Sequence, residues 1–486
     1  MKESSVLIAV LFCYFGLMLA VAAWARRANT SGEGYFLGGR KLPYWVAAFS
    51  MNATGESAWL LLGLSGVAYL TGLNALWIVA GETIGVLLAW VLVAKKLNRE
   101  SRELGSITVP DYLSTKHRGS PTAIRTVSVA IILSMAVIYI AAQMLATGKA
   151  FTVFLDWNYA TGVWVGGLVT IVYTSFGGFK AVAYTDAIQA MLMLFALTFV
   201  PWAGLQAVGG LDAMWNSLQA IDPAMLSLWR PDDPLFVTII VIASALAVGL
   251  PFIGVPQLLV RFMAIKETGD IKKAATVSVV VILIFDLGAV GIGLVGRALF
   301  PDLADAERIM PVLAEELFPP IITGILVVAV LSAVMSTVSS LLNLASSAIV
   351  NDIYAKSPLR SSDPGKEASL GRWTTLVLGV LGCGIAMAQD GVIFSLVLFA
   401  WSGLGAAFGP VVLCSLRWRK TTRQGVLAGM VTGFLVNVLW VLTAKEKFYD
   451  LYEMVPAFAA GLLATIVVSL LTYTPAPGPT KEQADS

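Results

Sequence analysis

A carboxylate lies in the middle of an otherwise apolar stretch that runs from Val46 to Tyr69. Its immediate surroundings are the run NATGESA at positions 52–58, which contains Glu56. A charge near the centre of a bilayer costs about 2.5–3.5 kcal/mol, and unwound backbone is tolerated at that depth only where it lines a cavity within the protein. We therefore interpret Glu56 and its neighbours as part of a binding site for something that crosses a membrane. A polar contact that holds two helices together is the alternative.

A second interruption, GLPFIGVPQ at positions 249–257, holds two prolines and two glycines within eight residues. Proline removes a backbone donor, so a continuous helix cannot pass through this segment. The two interrupted spans stand five places apart in the order of apolar segments. Matching interruptions in the two halves of a chain indicate an inverted-repeat transporter with a binding site near the membrane midplane.

A polar stripe on the ninth apolar segment is the third element that could do chemistry. Side chains recur there at three- and four-residue intervals, which places them on one helical face. The members are Ser332, Ser336, Ser340, Asn343 and Ser347, with Thr337 beside them. Hydroxyls in such a stripe can hold helices together. Alternatively, they can coordinate a cation with unwound carbonyls, and carbonyls around Ala53 and Glu56 would then face Ser336 and Thr337.

Apolar segments of spanning length recur along all 486 residues, of which 58% are hydrophobic and 13% charged. This composition predicts an all-α membrane protein with about thirteen transmembrane helices. We place them near 5–24, 46–69, 76–94, 126–151, 160–176, 187–206, 235–260, 275–299, 321–349, 373–387, 392–416, 425–443 and 455–471.

Basic residues predict the orientation. They gather in the odd-numbered connections between spans, Arg26, Lys96 and Arg417 among them, whereas two long even-numbered connections, 212–233 and 302–316, are acidic. Because positive loops face the cytoplasm, we expect a multi-pass protein of the cell (inner) membrane with its N-terminus outside and its C-terminus inside.

The rest of the composition argues against other classes of protein. The three cysteines lie in apolar spans, the single histidine has no ligand-like neighbours, and no hydrolase or Walker motif is present. We therefore predict no enzyme activity, no cofactor, no nucleic-acid binding and no obligate protein partner. The expected partners are a small-molecule solute, a coupling cation and membrane lipid.

Several motifs together resemble the sodium/solute symporter family, closest to its sodium/proline symporter branch. They are YFLGGR (35–40), SAWLL (57–61), VPDY (109–112), GGFKAV (177–182), TDAIQ (185–189), RFMA (261–264), AVMST (333–337) and AWSGLGAAFGP (400–410). The resemblance covers nearly the whole chain.

The resemblance implies a leucine-transporter-type core of five plus five inverted helices. Residues 1–471 would form one transporter domain, with 1–45 before the core, 46–416 as the core, 417–471 as the last two helices and 472–486 as a cytoplasmic tail.

The resemblance also assigns roles to residues. Sodium would be bound by backbone oxygens of Ala53, Glu56 and Ala333 and by the hydroxyls of Ser336 and Thr337. The substrate would contact Ser57, Trp59, Tyr139, Phe252 and Pro256. Asp186 matches an acidic position associated with the inner exit route.

The chain also departs from the family pattern. Proline symporters of this family carry an aspartate where this chain has Gly55, and the usually apolar next position is Glu56. A tryptophan and a tyrosine of those carriers correspond to Val248 and Phe252, which predicts a more apolar cavity. Glu56 could then serve the cation, pair with a substrate amine or bind a proton.

We predict a sodium-coupled symporter that imports a small organic solute, best proline or a related amino acid, by alternating access. A proton-coupled carrier of another amino acid or carboxylate, using Glu56, is one alternative. A solute-sensing membrane receptor is an alternative from a different class.

Glu82 and Asp286 also fall in apolar spans, where we expect them to face the protein or a cavity and to serve structural pairing.

Overall fold

The computed structural model describes residues 2–28, 31–117, 121–361, 363–388 and 393–474, and this part of the chain is helical. Eleven stretches within it are long and apolar enough to cross a membrane. Two of these, Tyr44–Glu103 and Tyr159–Val208, have 60 and 50 residues. Because a helix rises about 1.5 Å per residue and a bilayer core is about 30 Å thick, each of the two crosses twice. The described residues therefore form the predicted thirteen spans.

The spans are numbered in chain order. Span 1 is Lys2–Ala25, and span 4 is Pro121–Leu155. Span 2 consists of Tyr44–Ala58, Trp59–Leu64 and Ser65–Thr71. Span 3 consists of Leu76–Leu88, Ala89–Ala94 and Lys95–Glu103. Spans 5 and 6 share Tyr159–Val208, and span 7 comprises Leu235–Ala247, Leu250–Ile253 and Pro256–Ala264. Spans 8 to 13 are Ile271–Leu299, Pro320–Val350, Pro364–Ala386, Ile393–Arg417, Arg423–Thr443 and Met454–Thr472.

Glycines in the left-handed region separate the paired spans. Gly72 lies between spans 2 and 3 with φ 64° and ψ −136°, and Gly178 lies between spans 5 and 6 with φ 59° and ψ −167°. Glycine adopts this backbone without the steric cost of a Cβ atom. The sequence predicts a connection of about ten residues between spans 5 and 6, but one glycine is enough to break the helix there.

Both predicted interruptions are present. Span 2 breaks at Ser57, whose φ of 53° and ψ of −166° are not helical, and a π-helical stretch, Trp59–Leu64, follows directly. Span 7 breaks between Ala247 and Pro256, where only the short 3₁₀ segment Leu250–Ile253 is helical. Proline begins the second half of span 7, at a helical position that needs no backbone donor.

Spans 9 and 11 lie inside the bundle. In the most apolar windows of spans 9 and 11, 83% of residues are buried, compared with 28% in spans 1 and 13. Span 3 and the break of span 7 approach closely enough for backbone atoms to meet: a Cβ added to Gly249 would lie 1.9 Å from the carbonyl oxygen of Gly81. Residues 50–58, around the break of span 2, are all buried, so this region is closed off from the surroundings of the protein.

Candidate functional site

Hydroxyls of span 9 meet carbonyls of span 2 just before its break. Ser336 Oγ donates to the carbonyl oxygen of Ala53 at 2.9 Å, and Thr337 Oγ1 donates to that of Thr54 at 3.1 Å. Both hydroxyls also approach the carbonyl oxygen of Ala333, at 3.1 and 3.4 Å. Hydroxyl and carbonyl oxygens from two helices thus converge at one point, and none of them carries a charge. This is the arrangement that the sequence predicts for a cation site. The structure brings four of the five predicted cation ligands together.

Glu56 is the fifth predicted ligand, and its two oxygen-bearing groups behave differently. Its backbone carbonyl accepts the N–H of Trp59 across the break, and no described contact joins it to Ser336 or Thr337. Its carboxylate is fully buried, and within the described residues neither of its oxygens has a hydrogen-bond partner. The side chain, rather than the carbonyl, is therefore the group of Glu56 that lacks a partner.

Two further carboxylates lie beside Glu56. Glu82 of span 3 and Asp286 of span 8 are 2% and 0% exposed, and one oxygen of each of the three carboxylates lies within 4.8 Å of the other two. Only Glu82 has a described donor, the indole N–H of Trp59 at 3.2 Å. The sequence favours structural pairing over ligand contact for Glu82 and Asp286. In the described part of the chain, the two lie beside one another and beside Glu56.

Three of the five predicted substrate residues, Ser57, Trp59 and Tyr139, lie near the break of span 2, and we call them the substrate wall. The Tyr139 hydroxyl pairs with the Ser57 side chain, and the side-chain oxygen of Gln143 accepts the backbone N–H of Ala58 at 3.3 Å. Span 4 thus supplies one polar side chain to the backbone just after the break and another to the side chain at the break. Trp59 points to Glu82 and therefore belongs with the carboxylates as well as with the predicted wall.

Phe252 and Pro256 place span 7 opposite this wall. A Cβ added to Gly55 would lie only 2.7 Å from Cε1 of Phe252, so the ring packs against the backbone of span 2. The ring also meets Trp401 in an edge-to-face contact with ring centroids 5.2 Å apart. Pro256 is buried at the first helical position after the break. All five predicted substrate residues are buried.

Asp186 takes part in a network that the sequence did not predict. Its Oδ2 accepts hydrogen bonds from Arg261 Nη2 at 2.9 Å and from Ser50 Oγ at 2.7 Å. Arg261 also donates to Thr54, Ser340 and the carbonyl of Gln257. The network joins spans 2, 6, 7 and 9. An arginine within the last turn of a broken span was its only sequence signal.

A cavity of about 490 Å³ lies beside two even-numbered connections, the one between spans 4 and 5 and the one between spans 8 and 9. Its walls include Lys149, Asp305 and Arg308, which belong to or adjoin the even-numbered connections, and it reaches Leu62 and Val330. Leu62 lies on span 2, five residues from Ser57, and Val330 lies on span 9, three residues from Ala333. The cavity therefore leads from the protein surface towards the interrupted helices.

Two interrupted helices in corresponding positions, with buried polar groups at the break of span 2, are typical of a secondary transporter. Residues 35–433 match the sodium:solute symporter family, and the chain belongs to that family. The predicted resemblance is thus confirmed, and the chain is a multi-pass membrane transporter, not an enzyme.

Curated relatives match over nearly the full length. The chain is 38% identical to the high-affinity proline transporter PutP of Bacillus subtilis over 96% of this chain and 98% of the relative. It is 37% identical to the sodium/proline symporter of Escherichia coli, over 98% of this chain and 95% of that protein.

Solved structures have the same fold. A Na⁺-coupled sialic acid symporter, solved in a substrate-bound outward-open state, matches with a TM-score of 0.80 at 19% identity, over 97% of this chain and 99% of that one. MhsT in complex with L-phenylalanine matches with a TM-score of 0.55 at 13% identity, over 87% and 98%. These likenesses confirm the predicted leucine-transporter-type fold of five plus five helices.

Proposed function

We propose that the protein imports proline, or a closely related amino acid, together with sodium. The contact of Ser336 and Thr337 with the carbonyls of span 2 carries the proposal, because it supplies neutral oxygen ligands from two helices at one point. The proline transporters among its relatives support the choice of solute.

Sodium would be bound by Ala53, Glu56, Ala333, Ser336 and Thr337. Sodium brings one positive charge, which hydroxyl and carbonyl oxygens can coordinate. Ser336 and Thr337 would then turn their lone pairs towards the ion and fix span 2 against span 9. Coupling follows if the ion binds the outward-open state more tightly than the inward-open one, since an ion that binds both states equally shifts nothing.

The solute would enter through the 490 Å³ cavity and bind between Ser57, Trp59, Tyr139, Phe252 and Pro256. Asp186 would lie on the exit route, where its pairing with Arg261 holds the inner halves of four spans together. In the orientation that the basic connections predict, the N-terminus lies outside, the C-terminus lies in the cytoplasm, and the protein sits in the cell (inner) membrane.

Uptake of radiolabelled L-proline into proteoliposomes tests the proposal, with either a sodium or a proton gradient imposed. We expect accumulation with sodium alone, and its loss in Thr337→Ala. Ser347→Ala is the matched control, because Ser347 belongs to the same stripe but donates only to Leu344 within its own helix, at 2.8 Å. Equal sodium-driven uptake in Thr337→Ala and wild type would contradict the proposed sodium site.

The carboxylate of Glu56 favours a second candidate, a proton-coupled carrier of another amino acid or carboxylate. A buried carboxylate without a partner can take up a proton instead of remaining charged. Uptake driven only by the proton gradient, and abolished in Glu56→Gln, would support this candidate. In the absence of proline uptake with either gradient, a panel of amino acids and carboxylates would identify the solute.

A further inference from the structure

We propose that Glu56, Glu82 and Asp286 form a second cation site, distinct from the oxygens of Ser336 and Thr337, for a hard metal cation of the size of Na⁺ or Ca²⁺. The inference extends the proposed sodium coupling, but it depends on different side chains, and it involves spans 3 and 8 together with span 2 instead of span 9.

The spacing of the three carboxylates fits a cation of that size. One oxygen of each lies within 4.8 Å of the other two. Calcium binds oxygen at about 2.3–2.6 Å, so two ligands on opposite sides of such an ion stand about twice that distance apart. Oxygens from three different spans therefore already stand where one ion could contact them all. Carboxylate oxygens are also the ligands that hard cations prefer.

The oxygens of this cluster lack donors. Both oxygens of Glu56, both of Asp286 and one of Glu82 are buried without a hydrogen-bond partner in the described part of the chain. Nor does any described lysine or arginine form an ion pair with the three carboxylates. Buried charges are stable when they are paired or coordinate a metal. These orphaned oxygens point to a ligand that the protein itself does not supply.

A metal cation satisfies the cluster better than a single proton. The carboxyl groups of Glu82 and Asp286 lie within hydrogen-bonding reach of one another, but carboxylates only accept. One shared proton would satisfy that contact and would leave both oxygens of Glu56 without a donor. A cation among the three groups would contact all of them at once.

The position of the cluster gives the cation a role in transport. Glu56 directly precedes the break at Ser57, and Trp59, just beyond the break, donates its indole N–H to Glu82. A cation bound here would fasten spans 3 and 8 to the interrupted segment of span 2. It would therefore stabilise the conformation in which the substrate wall is assembled.

Equilibrium binding of ²²Na⁺ and of ⁴⁵Ca²⁺ to the full chain in nanodiscs, at neutral pH, tests the proposal. We compare wild type with Glu82→Gln and Asp286→Asn, which keep side-chain shape, and with Asp302→Asn, an exposed acidic residue, as the matched control. Thr337→Ala reports on the other site. We expect Glu82→Gln and Asp286→Asn each to weaken the binding of one isotope at least tenfold. Asp302→Asn and Thr337→Ala should still bind that isotope at the same site as wild type does.

The isotope that is lost identifies the ion as sodium or calcium. The proposal is overturned if Glu82→Gln and Asp286→Asn bind both isotopes like wild type, which would mean that protons neutralise the cluster. It is also overturned if Thr337→Ala removes all bound cation. Tryptophan fluorescence of wild type gives a second readout, because the cation should change it and Trp59→Phe should abolish the change. Normal transport by Thr337→Ala would count against the proposed function and not against this site.

Discussion

Arg261 and Asp186 form an ion pair in the interior of the protein, with 2.9 Å between Nη2 and Oδ2 and side-chain exposures of 1% and 0%. Ser50 and Thr54 of span 2 also donate to Oδ2 of Asp186, and Ser340 of span 9 accepts from Arg261. Arg261 lies in the last turn of span 7, next to an odd-numbered connection, whereas the 490 Å³ cavity adjoins even-numbered connections. We infer that this network closes the inner exit.

Arg261→Gln should destabilise the protein strongly. Removing one partner of a buried ion pair leaves the other charge uncompensated, at a cost of about 3–5 kcal/mol. Unfolding of purified protein in detergent measures the change. The double variant Arg261→Gln/Asp186→Asn should recover part of the loss, because it removes both charges.

Lys266→Gln is the control for this prediction. Lys266 and Glu267 form an exposed pair at 3.9 Å, and such pairs contribute about 0–1 kcal/mol. If Arg261→Gln were no more harmful than Lys266→Gln, the buried pair would have no part in holding the four spans together.

Gly55→Ala should impair transport through Phe252. The new Cβ would lie 2.7 Å from Cε1 of the ring. The ring is fully buried and also packs against Trp401, so it has little room to withdraw. Overpacking of this kind costs about 1–3 kcal/mol. Proline uptake should fall in Gly55→Ala and recover in Gly55→Ala/Phe252→Leu. Gly384→Ala is the control, because nothing lies within 4 Å of its added Cβ. Failure of the leucine variant to restore uptake would mean that Phe252 is not the obstacle.

The sequence predicts the breaks of spans 2 and 7 because glycine, proline and polar residues are conspicuous in apolar segments. It likewise places Ser336 and Thr337 on one helical turn, since that follows from helical periodicity alone. The partner of Asp186 and the meeting of Glu56, Glu82 and Asp286 could not be predicted in this way. Periodicity assigns a residue to a face of its own helix, whereas these contacts depend on which helix that face meets.

Gly249→Ala should prevent span 3 from packing on the break of span 7. The added Cβ would lie 1.9 Å from the carbonyl oxygen of Gly81, and backbone atoms cannot rotate away as a side chain can. We expect loss of folded protein, measured by fluorescence size-exclusion chromatography after mild heating. Gly16→Ala, with nothing within 4 Å of its Cβ, should elute like wild type. A Gly249→Ala protein as heat-resistant as the control would show that the two spans can separate at no cost.

His117 should make stability depend on pH below neutrality. The side chain is buried beside span 11, with Nε2 2.8 Å from Ser415 Oγ. Burial, helped by the charge of Lys116, lowers the pKa of His117 from 6.5 to about 4. The unfolded chain binds a proton on His117 more readily than the folded protein does. The contribution of His117 to the free energy of unfolding is therefore complete above pH 6.5 and is lost as the pH falls towards 4. At 1.36 kcal/mol per pKa unit, the loss amounts to about 3 kcal/mol.

The test is to measure the melting temperatures of wild type and of His117→Gln in detergent between pH 8 and pH 4. The carboxyl groups titrate in both proteins, so the difference between the two melting temperatures reports on His117 alone. Glutamine is neutral at every pH and can still pair with Ser415. The difference between the two melting temperatures should therefore be constant above pH 7 and should shift in favour of His117→Gln as the pH falls through the window. Parallel curves down to pH 4 would mean that His117 becomes charged in the folded protein as easily as in the unfolded chain, and that its burial against span 11 is not maintained in solution.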